Sequence, residues 1–211
     1  MTKHRILALG IETSCDDTAC AVVDEAGRVL STVVSSQLAA HRPFGGVVPE
    51  IASREHLRNW PWVSEAALSE AGVGIADIDV VAATKGPGLI GALLVGLSIG
   101  KAIAYARRIG FQAVHHLEGH LFSPFLSVEG EAAQAAPEEF LGLVVSGGHT
   151  SVFEVEGGST RTLAETRDDA MGEVFDKVGK RLGLAYPCLL YTSPSPRDNI
   201  ANLVCRLLLE N

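Results

Sequence analysis

From Arg5 to Thr13 the chain is almost continuously apolar, and it then stops at a polar cluster, Glu12-Thr13-Ser14-Cys15-Asp16-Asp17. A short apolar run closed by polar residues predicts a buried strand ending in a loop. Ala19–Asp24 predicts a second strand, Glu25-Ala26-Gly27-Arg28 a turn and Val29–Ser36 a third strand. Three strands joined by short turns predict an antiparallel meander. A glycine-containing loop, His41-Arg42-Pro43-Phe44-Gly45-Gly46, leads into a helical pattern from Pro49 to Ala71. Pro61 inside that pattern predicts a kink or a break, because proline lacks the N–H that the helix needs. Asp79–Thr84 predicts a strand, Gly86-Pro87-Gly88 a turn and Leu89–Arg108 a helix. The small residues Gly91, Gly96 and Gly100 in that helix permit close packing against another backbone. Phe111–His115 predicts a strand and Leu117–Leu126 a short helix.

Val128–Glu139 is rich in Ala, Glu and Pro, has no strand period, and reads as a linker. The opening pattern then returns. Phe140–Ser146 predicts a buried strand ending in Gly147-Gly148-His149-Thr150. Ser151–Glu156 predicts a second strand, Gly157-Gly158-Ser159 a turn, and Arg161–Thr166 a third strand. Asp168–Leu182 predicts a helix with Asp168 or Asp169 as its N-cap. The repeat divides the chain into a first lobe (1–127), a linker (128–139) and the start of a second lobe (140–187), followed by a tail of different character (188–211).

Composition narrows the class. The chain has 211 residues, 47% hydrophobic and 20% charged, which suits a globular protein with a sizeable core. The formal charge of −8 lacks the basic footprint of a nucleic-acid binder, so any RNA contact needs a local patch or a partner protein. No N-terminal signal peptide is expected, since the apolar run after Arg5 breaks at Glu12. The Gly-rich run from Gly86 to Gly100 stops at Lys101, short of the ~18–20 residues of a membrane span. The 4 cysteines, Cys15, Cys20, Cys188 and Cys205, form no CxxC pair and are expected to be reduced thiols.

Four segments could carry chemistry. The loop Thr13–Thr18 lies between two strands. Such loops present N–H and hydroxyl groups to phosphate, and Asp16 could hold a hydrated cation; alone, the segment reads first as a polar hairpin turn. In Val144-Val145-Ser146-Gly147-Gly148-His149-Thr150, the glycines let backbone approach a phosphate or acyl group, or else form an ordinary Gly-Gly hairpin. Together the two loops match the arrangement in which a nucleotide sits in the cleft between two lobes. His116 and His120 are four residues apart and share one helix face, within reach of one metal ion, although a site needs a third ligand from elsewhere. Asp168 through Lys177 reads as an amphipathic helix whose interior Gly172 suggests close approach of another group, since glycine there costs ~1 kcal/mol relative to alanine. Trp60-Pro61-Trp62 reads as core packing.

In order along the chain, these segments resemble one family. Gly10-Ile11-Glu12-Thr13-Ser14-Cys15-Asp16-Asp17-Thr18 resembles the opening of TsaD, the bacterial branch of the universal threonylcarbamoyltransferases. So do Gly45-Gly46-Val47-Val48-Pro49-Glu50 with Ala52-Ser53-Arg54-Glu55-His56, the Gly86-Pro87-Gly88-Leu89 turn, His116-Leu117-Glu118-Gly119-His120, Val145-Ser146-Gly147-Gly148-His149-Thr150, and Asp168 to Lys177. The resemblance implies an α/β fold of the actin/hexokinase-like (ASKHA, ribonuclease H-like) type, with two lobes of which the second is incomplete here. It implies transfer of threonylcarbamoyl from threonylcarbamoyl-AMP to N6 of the adenosine 3′ of the anticodon, in tRNAs reading codons that begin with A. It implies one divalent metal ion, iron or zinc, held by His116 and His120 with a late aspartate. Val144, Val145, Ser146, Gly147 and Gly148 would cradle the adenylate or its acyl group, Asp176 would hold the ribose, and Asp16 and Glu12 would lie near the reacting centre. The implied partners are tRNA, an actin-like paralogous subunit and a small ATPase subunit, in the cytoplasm and without a membrane.

From Cys188 onward the resemblance ends, and the run to Asn211 reads as frameshifted or foreign sequence. On that reading the Gly-Gly-Pro turn, a later asparagine and the third metal ligand are missing, so the fragment is expected to be inactive or nearly so. Sheet edges and apolar helix faces would also lack cover. Other readings stay open. A zinc metalloprotease is disfavoured, because Glu118 falls about 200° around the helix from His116 at 3.6 residues per turn. A sugar or acetate kinase shares the fold class. A non-catalytic actin-like partner subunit would not need the histidine pair.

Overall fold

The computed structural model describes residues 5–128 and 135–184. The first apolar run forms β1 (Leu7–Glu12), followed by β2 (Asp17–Asp24) and β3 (Val29–Ser36). They pair antiparallel as the expected meander, with Leu9 opposite Val22 and Cys20 opposite Val33. A four-residue helix, α1 (Leu38–His41), and a 3-10 turn lead to α2 (Pro49–Glu70). Strand β4 (Val80–Gly86), helix α3 (Ile90–Arg107) and strand β5 (Gly110–His115) follow. Both strands run parallel to β1, which gives a five-stranded sheet in the order β3-β2-β1-β4-β5. This mixed order, a meander extended by two parallel strands through crossover helices, is the actin/hexokinase-like, ribonuclease H-like architecture.

The strand period of two sends alternate side chains of β1 to opposite faces of the sheet. Leu7, Leu9 and Ile11, with Cys20, Val22, Val81 and Ala83, are buried against Val63 and Ala67 of α2 and Ala104 of α3. Gly10, Glu12, Ala21, Ala82 and Thr84 line the other face, which carries an apolar hollow of about 100 Å³. The expected close approach of α3 is borne out. A Cβ at Gly100 would lie 2.9 Å from the Phe111 ring and 3.3 Å from the Ala83 side chain, and one at Gly96 would collide with Thr13.

Some expectations are corrected. α2 runs unbroken through Pro61, so proline does not end it; packing of its apolar stripe against β2 and β3 outweighs one lost hydrogen bond. Trp60 does pack on the core, but Trp62 is 47% exposed. α3 begins and ends later than the apolar run, so its 18 residues, mean hydropathy 1.4, are long and apolar enough to cross a membrane by length and composition; here its glycines seat it on the sheet. The short helix after β5 divides into α4 (His116–Phe122) and a 3-10 turn (Ser123–Phe125).

The second meander is β6 (Glu139–Val145), β7 (Thr150–Glu156) and β8 (Ser159–Glu165), an antiparallel sheet in that order. Its inner face closes on α4. Val144, Phe153 and Val155 pack with Leu117 and Leu121, and a Cβ at Gly142 would collide with Leu121. β6 is therefore not the buried strand its composition predicts: Leu141 and Leu143 on its other face are 69% and 66% exposed. Helix α5 (Met171–Arg181) starts three residues later than expected, and Asp168 and Asp169 do not cap it. The Met171 N–H donates to Thr150 Oγ1 (2.8 Å) and the Gly172 N–H to the Ser146 carbonyl (3.2 Å), so the β6–β7 loop caps the helix instead. Residues 129–134 of the linker and 185–211, including Cys188 and Cys205, lie outside the described residues, whereas Cys15 and Cys20 are free thiols.

Candidate metal and adenylate site

Glu12, the last residue of β1, and Thr13 after it point to opposite faces, and each fixes one wall of the site. Thr13 turns toward α3, where its hydroxyl donates to the Ala92 carbonyl (2.9 Å) and accepts from the Gly96 N–H (3.1 Å). The Ser14 carbonyl accepts from Leu89 N–H (2.8 Å). Gly88 makes that contact possible: its φ is +158°, and a Cβ there would stand 2.5 Å from the Ser14 carbonyl oxygen. The Gly86-Pro87-Gly88 turn, with a cis Gly86–Pro87 bond, is thus a second wall under the loop.

Glu12 turns the other way, into the space under α4. Its carboxylate accepts from the Ser14 N–H, from Thr84 Oγ1 (2.6 Å) and from His116 Nδ1 (3.2 Å). Burial would raise its pKa; the bond and charge of His116, with the Thr84 and Ser14 bonds, prevail and hold the carboxyl below the ordinary range. A carboxylate only accepts, so His116 Nδ1 carries a proton. His116 Nε2 faces His120 Nε2 at 3.0 Å, with the rings edge to face and their centroids 4.4 Å apart. Burial first, then the neighbouring His116, push the His120 pKa down to about 3, so His120 is neutral at physiological pH. Its Nδ1 is buried without a hydrogen-bond partner.

The second loop reaches the same histidines. Ser146 N–H donates to the His149 carbonyl (2.8 Å) and His149 N–H to Ser146 Oγ (3.0 Å), which closes a tight turn. The His149 ring centroid lies 6.2 Å from that of His116, and burial followed by the His116 and His115 charges lowers its pKa. Gly147 and Gly148 stand in open space, where a Cβ would meet nothing within 4 Å. The crowded glycine is Gly172: a Cβ there would lie 2.6 Å from the Ser146 carbonyl oxygen and 2.8 Å from Gly147 Cα, the close approach its helix position suggested. Val144 is buried in the second core, Val145 is 45% exposed, and Asp176 is half-buried one turn beyond Gly172.

The structure therefore brings together Glu12, His116, His120 and the Ser146–Thr150 loop. Asp16 is half-buried on the first loop. The donor set suits two corners of a tetrahedral or octahedral ion, because two buried imidazoles converge and a carboxylate orients one of them. Among the described residues, no group of three or more His, Cys, Asp and Glu side chains could hold the ion. Sequence reasoning missed His149 as a neighbour of the pair and Thr84 as a partner of Glu12. His149 lay within a motif already quoted, whereas a threonine ending a strand carries no local signal.

The sequence model of the family described as TsaD, tRNA N6-adenosine threonylcarbamoyltransferase, matches residues 28–201, which carries the match past Pro187. A tRNA N6-adenosine threonylcarbamoyltransferase of Pelobacter propionicus is 60% identical over 183 residues, covering 86% of this chain and 52% of that protein. One from Geobacillus kaustophilus is 52% identical with the same coverage. The chain spans about half the length of these curated relatives. Among solved structures, YeaZ from Pseudomonas aeruginosa is 20% identical, covering 76% of this chain and 66% of that one, with a TM-score of 0.45. Ethanolamine utilization protein EutJ from Carboxydothermus hydrogenoformans is 14% identical, covering 85% and 58%, with a TM-score of 0.49.

Proposed function

The chain belongs to the TsaD family of tRNA N6-adenosine threonylcarbamoyltransferases, and on that premise we propose that it carries the donor-gripping part of an acyl-transfer site. The reaction moves threonylcarbamoyl from threonylcarbamoyl-AMP to N6 of the adenosine 3′ of the anticodon, in tRNAs reading codons that begin with A. N6 attacks the carbamoyl carbonyl carbon and a C–N bond forms. The bond from that carbon to the AMP phosphate oxygen breaks, AMP leaves with the electron pair, and the N6 proton is lost. The donor is a mixed anhydride and already activated, so positioning and charge stabilisation supply the catalysis.

The observation that carries this reading is the convergence of both interlobe loops on one histidine. His116 Nδ1 stands 3.2 Å from Glu12 at the end of β1 and 3.5 Å from the Ser14 hydroxyl of the first loop, and its ring lies 6.2 Å from that of His149 in the second. Gly147 and Gly148, open on their outer side, admit the phosphate or acyl group. Asp176 holds the ribose. Asp16 lies on the rim of the site. Glu12 acts by orienting His116 rather than by touching the donor. His116 and His120 hold a divalent ion, iron or zinc, which supplies a Lewis acid for a carbonyl or phosphate oxygen. The working assembly is cytoplasmic and adds tRNA, an actin-like paralogous subunit and a small ATPase subunit. This part of the site is expected to bind the donor and the ion.

Binding tests this directly. One zinc or iron ion per chain is expected by elemental analysis after loading, and His116→Ala with His120→Ala should abolish it. Threonylcarbamoyl-AMP should bind saturably to the unmutated chain, and Gly147→Val should weaken that binding at least tenfold, about 1.4 kcal/mol. A chain that binds neither ion nor adenylate overturns the reading.

A further inference from the structure

On the far side of β2 from the histidine pair, a second polar cluster is fully buried and has no part in the chemistry above. His56 of α2 is 0% exposed. Its Nε2 lies 3.0 Å from the Cys15 carbonyl oxygen. That oxygen only accepts, so Nε2 carries the ring proton and Nδ1 is an acceptor. Nδ1 is met by two donors, Thr18 Oγ1 at 2.8 Å and Gln37 Nε2 at 3.2 Å. The Gln37 side-chain oxygen accepts in turn from His41 Nε2 at 3.1 Å, and His41 Nδ1 accepts the Val48 N–H at 3.2 Å. Every bond in this relay, from Val48 through His41, Gln37 and His56 to Cys15, points the same way. Both rings are neutral Nε2–H tautomers and all their nitrogens are satisfied. Burial keeps His56 neutral.

The relay ends on the middle one of three consecutive carbonyls in the first loop. Ser14 accepts from Leu89 N–H (2.8 Å) and Asp16 from Gln37 N–H (3.0 Å). Those two anchors are backbone groups, whereas Cys15 alone is held by a side chain. We propose that His56 is a positioning residue for the site: by holding the Cys15 carbonyl it sets the path of the loop between Glu12 and Asp16, and so the orientation in which that loop meets the adenylate. The functional half of this inference rests on the reading that the loop faces the donor. The structural half does not.

The ring of His56 is observed first, in the unmutated chain. Nitrogen-15 shifts are expected to show the Nε2–H tautomer, and an Nδ1–H tautomer overturns the proposal. Next, His56→Gln keeps a donor near the Nε2 position and His56→Leu removes it. In His56→Leu, the amides of Leu89 and Gln37, bonded to the flanking carbonyls, should exchange about tenfold faster, the loss of roughly one hydrogen bond. Amides of β7 should not change, and His56→Gln should restore slow exchange. Unchanged exchange in His56→Leu, or a glutamine variant no better than leucine, overturns the proposal. AMP is the binding probe: its affinity should fall in the leucine variant and return in the glutamine variant. Failure of AMP to bind the unmutated chain would sink the donor-site reading, while the ring shifts and amide exchange would still decide the role of His56. The ring shifts also need no variant, so the proposal stays open to refutation even if His56→Leu does not fold.

Discussion

The two meanders share a pattern but differ in cover. In the first lobe, β1 and β2 are sandwiched, with α2 and α3 sealing one face so completely that Leu9, Cys20, Val22, Val63 and Val81 have no exposure. In the second, only the face against α4 is closed. Leu141, Leu143 and Val145 look outward, and so do Val174, Phe175 and Val178 of α5 and Leu182 just after it. The same strand-turn-strand grammar thus yields a core in one place and half a core in the other. Burial depends on what packs against a sheet rather than on how its strands are written. α4, with the histidine pair, is wedged between the two.

The sharpest test of this contrast is core truncation. Leu9→Ala should cost ~2–5 kcal/mol, whereas Leu143→Ala, at an exposed site, should stay within ~0.5 kcal/mol, as urea denaturation would measure. Equal costs would mean that the outer face of the second sheet is covered in solution. A smaller effect separates two glycines of the second lobe. Gly172→Ala drives a Cβ into backbone atoms of Ser146 and Gly147 and should cost ~1–3 kcal/mol and displace that loop; Gly147→Ala meets open space and should cost little. Thermal unfolding with amide exchange at Ser146–Thr150 would tell them apart.

Two charge-based tests follow. Asp24 in the first lobe accepts from Arg5 Nη2 (2.6 Å), Arg28 N–H (2.8 Å) and Ala26 N–H (2.9 Å). Burial works to raise its pKa, and those bonds and the Arg5 charge overcome it and depress it. Its contribution is therefore present above the unfolded value near 3.9 and is lost as pH falls through the folded value. Asp24→Asn should cost ~1–2 kcal/mol at neutral pH and reduce the acid sensitivity of unfolding. Between the lobes, His120 titrates near 3 when folded against 6.5 as its ordinary value. Its depressed folded value makes stability complete above 6.5 and progressively weaker below it. In the metal-free chain about 1 kcal/mol should be gone by pH 5.5, and His120→Leu should flatten that slope in a pH series of unfolding midpoints.

Much of this architecture was readable beforehand. The short apolar runs located all eight strands among the described residues, and a repeated meander pointed to two lobes. Helical spacing put His116 and His120 on one face. Boundary details were less accessible. The first turn of α5 is capped by Thr150 and Ser146, residues more than twenty positions upstream, so a local search for a capping aspartate chose Asp168 or Asp169 in error. Pro61 likewise looked like an interruption because its cost is local, whereas the packing that overrides it is not.

Local order thus determined which segments are strands and helices, because dihedral preference and periodicity act over a few residues. Tertiary structure alone decided that Glu12 orients His116 from 104 positions away, that His149 joins the same cluster, and that His56 holds the Cys15 carbonyl. Those contacts arise where the ends of separate strands and helices meet. Hydrogen bonds there follow from position in space, and no spacing along the chain encodes them.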